Sequence, residues 1–506
     1  MKIDYLHIQS TYKNLDNVKV DFDEDHLMTV IVGGNGSGKS NVLEALVRIF
    51  RDLDLEEIPL FKFEIKYCLG AKKNPKWMTL YGDHKGKTLT EQYKLFSSDR
   101  RDVLGKKISV KSVTKLRTGK SEYLPQFIFA YYSGPSDRLE DCFKQHRANF
   151  YHDLLYNKVE ALGDMRRFFY AKPIHSQFVL MAFFLENKNS DERQFLKEHL
   201  GIVDLDSVHF VLREPPWKQP KNRDELFWGA NGVVREFLDA LIPHSLAPLK
   251  VARIDQDEMS LTGKRKTKEF FHLFLKDSVA LKKVAKDYGP DIFFKMLEST
   301  LLSEVLKEVL IRVKVKTSSE SLSFRELSEG EQQLLTVLGL LKFTGGKDAL
   351  FLLDEPDTHL NPAWTVKYLE FLRKFVPDKN TSHLLMVSHH PLAIAELKDK
   401  QIQVMKRSEE KVIAFKPSKS PQGMGINLLL RSDMFGLKTT LDNPTNRDVT
   451  RRNELASKEI LSKPEEKELK ILNINLEKLG FSIATDDPDY MDFLFQKYHT
   501  PENKDN

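Results

Sequence analysis

The stretch Gly33-Gly34-Asn35-Gly36-Ser37-Gly38-Lys39-Ser40 fits the phosphate-loop pattern G-x-x-x-x-G-K-[ST] at each fixed position. Its flanks suit it. Leu27 to Val32 reads as a buried strand, and from Asn41 to Phe50 the residues Val42, Leu43, Leu46, Val47 and Phe50 fall on one helical stripe. In a strand, loop, helix unit of this kind the glycines let backbone N–H groups curl round phosphates, and the helix N-terminus adds partial positive charge. The pattern therefore predicts a nucleoside triphosphate bound along Gly33 to Asn41, with Lys39 reaching the β- and γ-phosphates and Ser40 ligating Mg²⁺.

A second stretch supports the first. Ala349 to Leu353 is an apolar run that ends in Asp354-Glu355, the form of a strand that delivers an aspartate to Mg²⁺ and, one residue on, a carboxylate able to polarise water. Asp354 is the metal candidate and Glu355 the candidate general base.

Composition bounds the rest. The 506 residues exceed one ordinary core, so two to four domains or subdomains are expected. With 41% hydrophobic and 30% charged residues, and no apolar run long enough for a bilayer, a globular protein with no membrane partner is expected. The first residues, Met1 to Ile8, alternate like a strand and lack a signal-peptide core, so the expected location is cytoplasmic. Cys68 and Cys142 are too few for a disulfide framework. A net charge of +5 permits nucleic-acid contact without demonstrating it.

The predicted fold is α/β with four regions. Residues 1–135 hold the first half of a nucleotide-binding core, with strands at Ile3 to Ile8 and Val18 to Phe22, and beside it an antiparallel β-subdomain at Phe61 to Leu69, Trp77 to Tyr81, Ile108 to Val113 and Phe127 to Tyr132. Residues 136–309 read as a helical insertion, with stripes at Ser176 to Glu186, Asp191 to Leu200, Val233 to Leu241, Lys268 to Lys286 and Ile292 to Val309. Residues 310–416 resume the core at Leu310 to Val315. Residues 417–506 form a looser stretch and then a helical tail suited to partner docking, starting near Pro464 and stopping at Gly480.

Leu327-Ser328-Glu329-Gly330-Glu331-Gln332-Gln333 resembles the signature loop of ABC-type ATPases, in the Ser-Glu-Gly-Glu form of SMC-like and RecF-like members. The plain alternative, a capping box from Ser328 to Glu331, is compatible with it. Phosphate loop, signature, Asp354-Glu355 and His389 follow one another in the family's order; Pro356 to Pro362 resembles its D-loop, and His389, two residues past the strand Leu384 to Val387, resembles its switch histidine, which makes it a candidate catalytic residue by that resemblance. Gln126 precedes its strand, so no residue takes the Q-loop role. Gly36 to Asn41 with Leu43-Glu44-Ala45 is similar to the RecF, SMC and OLD group, and Tyr131 to Arg138 and Met434 to Leu437 are similar to ATPases of Septu-type antiphage systems.

That resemblance implies an ABC-type P-loop ATPase using ATP and Mg²⁺, which regulates or loads a separate HNH-type nuclease subunit on DNA. It implies a homodimer or a higher assembly of dimers, because Ser328, Gly330 and Glu331 would complete the nucleotide site of a second copy. The alternatives are a RecF-like DNA-repair clamp and an OLD-type ATPase with its own nuclease. The latter is disfavoured because no Glu-Gly follows a strand after His389, and Asp487-Pro488-Asp489 reads as a cap for a helix carrying Met491, Leu494 and Tyr498. Lys106, Lys107, Lys111, Lys115, Arg117 and Lys120, with Lys264, Arg265, Lys266 and Lys268, are the candidate DNA-facing clusters.

Overall fold

A computed structural model describes residues 1–114, 122–155, 167–217, 226–254, 267–344, 346, 348–408, 411–458 and 460–480. Lys115, Arg117, Lys120, Lys264 to Lys266 and the Asp487 to Tyr498 segment lie outside them.

The strands with unbroken apolar runs fall at the centre of a parallel sheet, where both faces are covered. Ala349–Asp354, His383–Val387 and Met28–Gly33 are buried at every position. They belong to a seven-stranded sheet in the order Val412–Phe415, Ile402–Arg407, Met28–Gly33, His383–Val387, Ala349–Asp354, Phe127–Tyr132, Phe168–Tyr170. All neighbours are parallel except Val412–Phe415, which turns back on Ile402–Arg407. The helix Lys39–Asp54 buries Val42, Leu43, Leu46, Val47 and Phe50, the stripe read from the sequence.

A six-stranded antiparallel sheet has the order Val18–Asp21, Lys2–Ile8, Phe63–Leu69, Lys76–Gly82, Tyr93–Ser98, Lys106–Ile108. This corrects three expectations. Lys2–Ile8 and Val18–Asp21 pair in this sheet and not in the parallel core; the run expected as a strand over Ile108 to Val113 ends its strand at Ile108 and turns into the helix Val110–Thr114; and Phe127–Tyr132, expected in the antiparallel subdomain, pairs parallel with Ala349–Asp354 in the seven-stranded sheet, where its apolar run is covered.

Between residues 136 and 309 the helices His175–Leu185, Asp191–His199, Gly232–Leu241 and Pro290–Leu302 form as expected, but strands accompany them. The stripe at Lys268 to Lys286 is the strand Thr267–Leu275 followed by a short helix, Ser278–Val284. The strand Leu306–Val315, expected to restart the core, joins a five-stranded sheet in the order Leu246–Ile254, Thr267–Leu275, Ile202–Arg213, Leu306–Val315, Leu322–Ser323. The reason is hydrophobic: Phe271, Leu273 and Leu275 alternate inward with Val208, Phe210 and Leu212 of the paired strand, so period two wins over a helical reading. Aromatic contacts tie these helices to the helix Glu329–Thr344, with Phe294 and Phe343 stacked at 5.4 Å between centroids and Phe183 at 5.6 Å from Phe343.

The chain divides into two compact units. One comprises Met1–Ala393 with Lys400–Lys416 and holds the sheets; the other comprises Ile394–Asp399 and the chain from Pro417 on. The second unit carries the helices Ile426–Arg431, Asn443–Ala456 and Lys463–Lys478, the last opened by a Ser462–Glu465 capping box with Pro464 in its first turn. Cys68 and Cys142 are buried and unpaired, and burial pushes both thiols up to about 11. Among the described residues no helix is long and apolar enough to cross a membrane.

Candidate nucleotide site

Gly33, Tyr132, Asp354 and Val387 end neighbouring parallel strands at one rim of the seven-stranded sheet. The crevice outside such carboxyl ends is where ligands bind in open α/β sheets. From Gly33 the chain wraps into the helix that begins at Lys39. Gly38, at φ 90°, sits in the left-handed region, and a Cβ there would meet Leu15 Cδ2 at 2.6 Å, so the turn requires glycine. Gly34, Asn35 and Gly36 are exposed. The Ser37 hydroxyl is buried with no partner among the described residues, and Lys39 Nζ donates to the carbonyls of Gly33 and Gly34 at 2.9 Å each. A loop with an unengaged hydroxyl and an ammonium lent to its own backbone fits a phosphate group. Burial pulls the Lys39 ammonium down to about 8, against the opposing pull of Glu355 and Asp354.

Ser40 Oγ donates to Asp354 Oδ1 at 3.0 Å. Asp354 is 2% exposed, and burial pushes its carboxyl up to about 6 although the Ser40 bond opposes this. One hydroxyl and one carboxylate beside a phosphate loop fit Mg²⁺, which takes few protein ligands and shares the phosphates. Glu355 follows in the left-handed region at φ 52°, held by its N–H to Val387 O at 3.0 Å. Its Oε1 lies 2.9 Å from His389 Nε2. Burial, with Lys39 nearby, lowers the imidazole pKa while Glu355 raises it. His390 turns elsewhere, its N–H on Ser388 Oγ at 3.0 Å and its Nδ1 accepting from Leu392 N–H at 3.3 Å. Ser388 Oγ in turn donates to buried Asp357 at 2.6 Å, tying the segment after Glu355 to the neighbouring strand.

The signature segment has other partners. Ser328 N–H and Oγ meet Glu331 Oε2 at 2.7 and 2.9 Å, and Glu331 N–H returns to Ser328 Oγ at 3.3 Å, so the capping box forms. A Cβ on Gly330 would meet His359 O at 2.4 Å, so glycine lets this turn press on the Asp357–Leu360 segment. Gln333, 4% exposed, donates to Glu355 O at 3.4 Å and accepts from His359 N–H at 3.2 Å. The structure thus gathers Gly33–Asn41, Asp354, Glu355 and His389 in one crevice, while the hydrogen bonds of Ser328 and Glu331 stay in their own turn.

Two residues to which the sequence reading gave no site role stand in the crevice. Asn14 Nδ2 donates to Gly36 O at 2.8 Å, and its Oδ1 accepts from Asn41 Nδ2 at 2.7 Å. Arg138 Nη1 donates to Asn41 Oδ1 at 3.3 Å, and Nη2 lies 3.9 Å from Asp354 Oδ2. The signal for Arg138 was its place: a cation just past Gly134-Pro135, after a strand parallel to Ala349–Asp354. Gln126 lies at the opposite end of that strand, its N–H on Asp348 O at 3.1 Å.

Residues 1–164 match the model of the AAA ATPase domain, and residues 254–395 match that of the AAA domain described as putative AbiEii toxin, Type IV TA system. The chain is similar to Septu protein PtuA of Bacillus mycoides (strain KBAB4), 26% identical over 159 residues, which are 29% of this chain and 22% of that protein. Among solved structures it is similar to the SMC head domain from Thermotoga maritima, at 10% identity and a TM-score of 0.34 over 82% of this chain and 99% of that one. The Pyrococcus furiosus Smc head domain bound to the C-terminal domain of ScpA gives 13% identity and a TM-score of 0.33, over 82% and 96%. The chain thus matches AAA-domain models over two separate regions and is similar to PtuA over part of its length.

Proposed function

We propose that the chain binds ATP with Mg²⁺, hydrolyses it to ADP and phosphate, and in antiphage defence regulates or loads a separate HNH-type nuclease subunit on DNA. The observation that carries the ATPase reading is the pairing of Ser40 with Asp354 beside Glu355 and His389, at the carboxyl rim next to the phosphate loop. The likeness to PtuA supports the defence role, and the nuclease subunit follows from the sequence resemblance.

In this reading the Gly33–Ser37 N–H groups and Lys39 bind the phosphates, and Ser40 with Asp354 holds Mg²⁺. The ion supplies charge neutralisation of the phosphate oxygens. Glu355 orients a water and takes its proton as the water oxygen bonds to the γ-phosphorus; the bond to the bridging oxygen breaks and its electron pair leaves with ADP. His389 positions the Glu355 carboxylate through their 2.9 Å contact.

Measuring ATP binding and turnover in two variants tests this reading. Lys39→Ala should lose binding, and Glu355→Gln should keep it while turnover falls by about 10²-fold or more. Turnover at the parent rate in Glu355→Gln would overturn the base assignment. Loss of phage protection when the HNH subunit is left out tests the partner.

A further inference from the structure

The helix Glu329–Thr344 grips the turn that follows Glu355 through one side chain. Gln333 is buried, and its amide is engaged at both ends: Oε1 accepts from His359 N–H at 3.2 Å, and Nε2 donates to Glu355 O at 3.4 Å. These backbone partners fix which way round the amide sits, since the reverse would set its NH2 against an N–H and its oxygen against a carbonyl. The Tyr131 hydroxyl, pushed up to about 12 by burial, hydrogen-bonds the same amide. A buried amide used in this way holds its partners in register, and removing it leaves backbone groups short of a bond.

The two backbone partners bracket Glu355 to His359. Glu355 lies in the left-handed region at φ 52°, with its N–H on Val387 O at 3.0 Å and its carbonyl accepting also from Thr358 Oγ1 at 2.8 Å. A glutamate stays in that region only where its surroundings over-determine it. The consequence is geometric: Glu355 Oε1 lies 2.9 Å from His389 Nε2, and a backbone relaxing toward ordinary φ would swing the carboxylate off that line. The same helix meets the turn at two further points. A Cβ on Gly330 would lie 2.4 Å from His359 O, and Glu329 Oε2 lies 3.4 Å from His359 Nδ1.

We infer that Gln333 is a positioning residue for the Glu355 carboxylate: it holds the Glu355 backbone so that the carboxylate is aimed at the attacking water, and it touches neither nucleotide nor metal itself. The inference rests on Glu355 as the general base, and the test separates the two.

ATP binding and steady-state hydrolysis are measured on the full chain with Gln333→Leu, Gln333→Glu and Glu355→Gln. Gln333→Leu keeps most of the volume and removes the hydrogen bonds, so kcat should fall roughly tenfold or more while KM and ATP affinity stay within about twofold of the parent. Gln333→Glu keeps the acceptor for His359 N–H, but its ionised form sets an oxygen against Glu355 O, and protonation restores the donor. Its kcat, as a fraction of the parent value at each pH, should therefore climb as pH falls from about 8 to about 6, which a loss of packing would not produce. Parent-rate turnover in Gln333→Leu with Glu355→Gln inactive overturns the positioning role and leaves the base assignment standing. Parent-rate turnover in Glu355→Gln overturns the base assignment and this role with it. A loss of ATP binding in step with kcat makes Gln333 part of the fold alone and overturns the role. Should Gln333→Leu fail to fold, Gln333→Glu decides, and a fraction of the parent kcat that does not change with pH overturns the inference.

Discussion

Glu355 holds a backbone conformation that an L-residue adopts at a cost, φ 52°, and two neighbours keep it there: Val387 O on its N–H and Gln333 on its carbonyl. The next cation in the crevice is Arg138, which reaches Asn41 and faces Asp354 without a close ion pair, so its guanidinium is placed to meet phosphate oxygens. Arg138→Ala should lower kcat/KM for ATP by about ten- to a hundredfold, with part of the loss restored by Arg138→Lys. Steady-state kinetics that match the parent would remove Arg138 from the site. Gly33 to Ser40 was legible because a phosphate loop is a local device whose spacing is its chemistry. Arg138 and Asn14 were not, because their partners lie far off in the chain and no spacing rule links them. The Ser328–Glu331 capping box was legible for the same local reason, being four consecutive residues.

At the scale of elements, the unbroken apolar strands were readable and their sheet partners were not. Lys2 to Ile8 alternates visibly, yet its pairing with Phe63–Leu69 is a long-range choice, and Thr267–Leu275 looks helical until Ile202–Arg213 is beside it. The parallel and antiparallel sheets are joined at His383. Its Nδ1 accepts from Ile3 N–H at 3.0 Å and its Nε2 lies 3.2 Å from Thr29 Oγ1, so the ring is neutral and carries its proton on Nε2. Complete burial, with Lys2 and the N-terminal amine adding to it, holds its pKa well below the ordinary imidazole value. The unfolded chain takes up that proton near pH 6.5 and the folded chain does not, so stability falls as pH drops below about 6.5, by up to about 1.4 kcal/mol per unit. In denaturant titrations the stability gap between the parent and His383→Gln should be constant above pH 7 and narrow below 6.5. A gap unchanged down to pH 5 would contradict this.

For the whole molecule, the arrangement of Ser328, Gly330 and Glu331 bears most on assembly. Their hydrogen bonds and close contacts are with one another and with His359, while Gly33–Asn41, Asp354 and Glu355 gather elsewhere in the same unit. We propose that a second copy completes the nucleotide site, as the sequence resemblance implies, so that a two-fold dimer would hold two composite sites. Lys39→Ala breaks the phosphate loop and Ser328→Arg breaks the signature, and each homodimer then has two defective sites. In a heterodimer both lesions fall in one site and the other is intact. The direct measurement is ATPase activity after mixing the two variants in equal amounts, with exchange of subunits followed by fluorescent labels. The account predicts that activity returns to about a quarter of the parent value, since half the dimers are mixed and half their sites are whole; a mixture that exchanges subunits fully and stays inactive would contradict it.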